Sequence, residues 1–150
     1  MKKFGLAYVF AIVVLLGSCS VPSNKIDLVN LGSELTSSSA FAETPQLTDS
    51  SIGYMLYSIN ETDCAESYFW FSSGATAEEI ALIKASDEDA ASRVFEAVGE
   101  RVRFQIESFE DYVPEEVPKL EAATMYKKGL YVIYCCADDN EAAKKIIYNN

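Results

Sequence analysis

Histidine is absent from all 150 residues, and with it the side chain most used as general base and transition-metal ligand. No Ser-His-Asp or Cys-His triad can be assembled, nor any zinc site that draws on imidazole. Basic residues are scarce, with 12 Lys and Arg against 23 Asp and Glu. Nucleic-acid binding rests on cations that displace counterions from phosphate, so that class is disfavoured, as is a peripheral grip on anionic lipid head groups. An apolar run long enough to span a bilayer is missing too. Phe4 to Leu16 carries no charge but falls short of the roughly 20 residues a spanning helix needs. No internal repeat is evident, which removes solenoids and propellers.

What that short apolar run does have is a setting. Lys2 and Lys3 precede it, and Leu16-Gly17-Ser18-Cys19 follow it, which is the layout of a secretory signal closing on small residues and a cysteine. The pattern resembles the lipobox of bacterial lipoproteins, in which the cysteine thiol is diacylated and becomes the first mature residue. The expectation is a signal peptide over residues 1–18, lipidation at Cys19, a short tether over 19–24 and one domain over 25–150. A single acyl chain holds a protein only marginally, so a diacylglyceryl group on Cys19 is what would make the membrane a stable partner. Lys2 and Lys3 are the only charges before Cys19, so the rest of the chain holds 10 basic and 23 acidic residues, a formal charge of −13.

Cys64, Cys135 and Cys136 then remain. Three is an odd number, and a four-cysteine metal site is excluded. If Leu130 to Cys136 is a strand, Cys135 and Cys136 point to opposite faces and at most one could meet Cys64. Buried thiols acting as small hydrophobes are the plainer reading.

With 49% hydrophobic residues the chain is globular in composition. Ile26, Leu28, Val29, Leu31 and Leu35 fall mostly at helical spacing, although Gly32 weakens such a helix by roughly 1 kcal/mol relative to Ala. Thr36 to Ser51 reads as a Ser/Thr-rich loop. Asp49 could cap a turn through Ile52, Met55 and Leu56, while Tyr54 to Ile59 also suits a strand; the turn is preferred. Ser67 to Phe71 is aromatic-rich, as strands are, and is followed by the turn residues Ser73-Gly74-Ala75-Thr76. Glu79 to Ala85 admits a short helix opened by Thr76 and Glu79, or the second strand of a hairpin; the hairpin is chosen because a helix clearly begins at Ser86-Asp87. That helix has acids on its first turn and an apolar stripe through Ala91, Val94, Phe95, Val98, Val102, Ile106 and Phe109, with Pro114 as its stop. Ala122 to Tyr126 and Leu130 to Cys136 flank Lys127-Lys128-Gly129 as a second hairpin, and Asp138 to Tyr148 closes as a helix. Strands in hairpins imply an antiparallel sheet. The expected fold is therefore α+β: a small antiparallel sheet covered on one face by the long helix and the C-terminal helix, a two-layer sandwich.

Ala77-Glu-Glu-Ile-Ala-Leu-Ile-Lys-Ala-Ser-Asp87, then Arg101, Phe109-Glu-Asp-Tyr112-Val-Pro114-Glu115 and Gly129-Leu-Tyr-Val132 follow one another in an order that resembles the bacterial lipoprotein family of domain of unknown function 4358, over about residues 50–148. The resemblance implies a Gram-positive envelope lipoprotein and a strand at Glu-Glu-Ile. It implies no activity, cofactor or catalytic residue. The Cys135-Cys136 pair is not part of the pattern.

Two constellations are candidates for binding. Glu78 or Glu79 with Arg101 could hold a small charged ligand, or could be a structural ion pair between strand and helix. Tyr68 and Trp70 share one face of a strand; exposed, they would form a flat aromatic patch for a protein, peptide or glycan, unless a further segment such as the N-terminal helix covers them. Asp138-Asp139-Asn140-Glu141 lacks the glycine and distal glutamate of a calcium loop and reads as helix-start charge. No catalytic or metal-ligating residue and no cofactor is assigned. The function expected is a non-enzymatic binding or interaction module anchored at the cell membrane on its outer face. The alternatives are a hydrolase or transferase using a carboxylate such as Glu79, or a small solute receptor.

Overall fold

A computed structural model describes residues 25–150; the expected signal, Cys19 and the tether lie outside them. The elements run α1 (Leu28–Thr36), β1 (Gln46–Thr48), α2 (Ser50–Tyr57), β2 (Cys64–Phe71), β3 (Glu79–Ala85), α3 (Glu88–Tyr112), α4 (Val117–Glu121), β4 (Thr124–Lys128), β5 (Tyr131–Cys136) and α5 (Asn140–Asn149). All strand pairs are antiparallel, in the order β1-β2-β3-β5-β4. The fold is α+β, and both hairpins form where their turn residues stand, with Gly129 at φ 56° in the tight β4–β5 turn.

Aspartate starts four of the five α-helices. Asp27, Asp49, Asp87 and Asp139 each accept a hydrogen bond from a backbone N–H of the first turn of α1, α2, α3 and α5. Each supplies an acceptor to donors that no intrahelical carbonyl can reach. Cap chemistry thus decides the ambiguous segment after Asp49 in favour of a helix. β1 arises inside the stretch expected to be loop, three residues pairing with the end of β2.

The expected layering is corrected. α3 and α5 do not share a face: α2, α3 and α4 cover one side of the sheet, α1 and α5 the other, and the sheet is the middle of three layers. The reason lies in the central strands. Ala81, Ile83, Val132 and Tyr134 face α3, while Ile80, Leu82, Ile133 and Cys135 face α1 and α5, and all eight are buried. A strand apolar on both sides needs a cover on both sides. At β2 the two sides meet their helices through glycine. Gly53 of α2 lies against the ring of Phe69, and Gly32 of α1 against the ring of its neighbour Trp70; a Cβ at either position would fall on ring carbons. The glycine that weakens α1 in isolation is what lets it seat.

Candidate functional site

β3 begins with Glu79 on the α3 side of the sheet, and Arg101 stands midway along α3 above it. Nε of Arg101 donates to Oε1 of Glu79 at 3.3 Å and Nη2 donates to Oε2 at 2.9 Å. One turn on, Gln105 Nε2 donates to the same Oε2 at 2.9 Å. Both oxygens of the carboxylate are therefore taken by cationic or amide donors, in a site where its side chain is only 4% exposed. The guanidinium also lies 5.7 Å from the ring centre of Tyr57, at the end of α2. Burial works most strongly against the charge of Arg101, but the charge and hydrogen bonds of Glu79, with Tyr57 and Tyr134 nearby, together raise its pKa above the usual value.

Tyr57 and Tyr134 meet edge to face beside this pair, with ring centres 6.4 Å apart. Burial first, and the negative charge of Glu79 second, push the Tyr57 phenol well above its ordinary pKa; burial does the same at Tyr134. Both phenols therefore stay protonated. Among the described residues, their hydroxyls and Oε1 of Gln105 have no hydrogen-bond partner.

A groove opens from this network along α3. Between α2 and α3 it forms a cleft of about 590 Å³ with Tyr57 and Arg101 at its base and Leu56, Glu96, Glu100 and Phe104 along its sides. A second cleft of about 310 Å³, which shares Leu56, Arg101 and Phe104 with the first, is lined by Glu79, Gln105, Phe71 and Phe109.

Other expected sites resolve differently. Glu78, neighbour of Glu79, points to the opposite side and does not meet Arg101. Its buried carboxylate accepts from the backbone N–H groups of Ala42 and Glu43, at 2.7 and 3.0 Å, and pins the α1–β1 loop. Trp70 is 8% exposed beneath α1 and Tyr68 is half-buried beside it, so no flat exposed aromatic patch forms; the N-terminal helix covers it. Cys64, Cys135 and Cys136 are all free, with the last two on opposite faces. Burial pushes the Cys64 thiol up to about 11 and that of Cys136 to about 12, which leaves little nucleophilic thiolate. Asp139 caps α5, Asn140 holds the backbone of Ala137 and Lys119, and Asp138 pairs with Lys119 at 3.3 Å, so this acidic run is helix-start structure. Among the described residues no cluster of acids and thiols has metal-holding geometry.

Gln105, Tyr57 and the exposed Phe104 beside Leu56 escaped the sequence reading. A signal for Gln105 was present: Arg101 and Gln105 stand four apart, continuing the line of Val94 and Val98 on the buried side of α3. Two polar residues on an apolar line mark a buried polar network.

Residues 41–137 match the model of the family described as domain of unknown function DUF4358. The chain belongs to the DUF4358 family. The matched region runs from the loop before β1 to the end of β5, and so holds the whole sheet, α3 and the groove, but not α1 or α5. No curated protein and no solved structure matches the chain.

Proposed function

We propose that this DUF4358 protein is a lipid-anchored binding module on the outer face of a bacterial cytoplasmic membrane, held through Cys19, and that its working surface is the groove between α2 and α3. The observation that carries the reading is the state of Glu79. A general base or nucleophile needs a carboxylate with a free lone pair aimed at substrate. Both oxygens of Glu79 are instead held by Arg101 and Gln105. The groove thus has a rigid, neutralised floor and apolar sides, which suits recognition. Anchoring is supported by the run Leu16-Gly17-Ser18-Cys19 behind a short apolar segment.

Two measurements in cells test this. Feeding an alkyne-tagged fatty acid should label the wild type and not Cys19→Ala; equal labelling would refute the anchor. Replacing Phe104 by a photoreactive benzophenone residue should give cross-linked adducts on illumination, whereas the same residue in place of Tyr148, on α5, should give far fewer. Adducts from neither position would refute the module. An envelope hydrolase activity of the purified protein that Glu79→Gln abolishes would move the assignment to enzyme.

A further inference from the structure

We infer that the α2–α3 groove receives a cationic amphipathic segment of another protein, which sets an apolar side chain between Leu56 and Phe104 and Lys or Arg against Glu96 and Glu100. This rests on the binding-module reading above and names the partner's chemistry.

The apolar half comes from exposure. Phe104 is 62% exposed on α3, and across the groove α2 presents Leu56 at 37%. α2 already uses its other side, through Gly53 and Tyr57, to pack on the sheet, so these outward side chains contribute nothing to the core. An apolar patch rimmed by charge is the usual mark of an interaction surface.

The charged half comes from counting which charges are spent. Two guanidinium groups border the groove, and each is matched by a carboxylate of its own: Arg93 holds Asp63 through Nε and Nη2, and Arg101 holds Glu79. What remains is acidic. Glu96 and Glu100 are exposed on the groove side of α3, and among the described residues Glu100 is engaged only by the exposed side chain of Arg103, a pairing of the kind that contributes little. The chain from Cys19 onward carries −13, so the long-range field adds to the local one. Together these favour a positive partner and repel anionic lipids and anionic polymers. They also disfavour a second copy of this chain, since a two-fold contact would set Glu96 and Glu100 against their own equivalents.

Length points to a peptide. From Arg93 to Phe109 the groove follows α3 for about 24 Å, at the helical rise of about 1.5 Å per residue. That accommodates a few turns of helix, with its apolar stripe set against Leu56 and Phe104, which line both clefts, in the helix-in-groove manner.

The test uses the full lipidated chain in phosphatidylcholine nanodiscs, with empty nanodiscs as blank. Two fluorescent peptides of about 14 residues, matched to the groove's length, serve as probes: one of leucine and lysine at helical spacing, the other its leucine–glutamate counterpart. The lysine peptide should bind and the glutamate peptide should not. Phe104→Ser, and separately Glu96→Lys with Glu100→Lys, should each weaken binding about tenfold or more, the scale of an interface hot spot. Glu141→Lys, an exposed reversal on α5, should change it by less than about twofold because it lies outside the direct contact. All replaced side chains are exposed, and melting curves confirm that the variants fold. An equal loss with Glu141→Lys would mean unspecific charge attraction and overturn the inference, as would binding indifferent to Phe104→Ser. If the peptide result fails while position 104 still cross-links in cells, the module stands and its partner's chemistry is wrong. If position 104 is also silent in cells, the groove reading falls with it.

Discussion

The two faces of the sheet are built from the same strands, yet they are put to different uses. The α1/α5 side buries Leu28, Leu31, Leu35, Leu82, Ile133 and Ile147, a core of aliphatic side chains with Trp70 at its edge. The α2/α3/α4 side buries apolar residues as well, but threads Glu79, Arg101 and Gln105 between them and leaves a groove above. An ion pair sealed from water seldom adds stability over a well-packed apolar pair, because desolvation consumes the Coulombic gain. Among the described residues it stands on one side only, which speaks for geometry. It holds α3 at a set distance from β3, and with it the groove.

The comparison can be broken most forcefully in the core. Val98, fully buried under α3, and Leu31, fully buried under α1, should each unfold the protein when changed to Asp. An unpaired buried carboxylate costs several kcal/mol, against a typical domain stability of roughly 5–15 kcal/mol. Circular dichroism melts that left either variant at the wild-type midpoint would show that its face is dispensable.

The polar network comes next. Arg101→Ala should cost about 3–5 kcal/mol by stranding Glu79 in the core. Arg101→Met combined with Glu79→Leu should regain most of it in urea titrations. If the single variant is as stable as the double, the pair is not what ties α3 to the sheet.

Gly53→Ala and Gly32→Ala sharpen the symmetry, since each would drive a methyl group into Phe69 or Trp70. A loss of about 1–3 kcal/mol is expected from each, the scale of overpacking. Because the sites lie on opposite sides of the sheet, their effects should add within about 0.5 kcal/mol, and a large departure would reveal strain transmitted through β2.

Thiol reactivity probes the same layers kinetically. At pH 8 a thiol with pKa about 11 is ionised to only about one part in a thousand, so native Cys64 should alkylate slowly and Cys135 and Cys136 more slowly still. Mass spectrometry that found Cys136 modified first would mean that the α3 face opens before the other.

The smallest effect lies at the groove's end. Hydrogen bonds from Arg93 hold Asp63 below the usual carboxylate range, so the folded state binds its proton less readily than the unfolded one. The stabilisation is present above the ordinary Asp value, near 4, and is lost as pH falls through the folded pKa. Asp63→Asn should lower stability slightly at neutral pH, leave it unchanged well below the folded pKa, and so flatten the acid limb in melts below pH 4.

Local order was legible in the residues. Aspartate caps, the α3 stripe, Pro114, Gly129 and the alternation that sends Cys135 and Cys136 apart are all short-range chemistry, and each acts as its neighbours in the chain require. The family was legible as well, because the motifs from Ala77 to Val132 recur in order. The side of the sheet on which each helix lies was harder, although the lack of polar alternation in β3 and β5 carried the hint that both faces are covered. Which residues meet across that sheet follows instead from the docking of the layers. Glu78 and Glu79 are adjacent and identical in type, yet Glu78, just before β3, closes the α1–β1 loop while Glu79, the first strand residue, meets Arg101. Trp70 looked equally fit for a surface patch or a core until α1 came to rest on it. Such pairings depend on where distant segments dock, and no local pattern of residues encodes that.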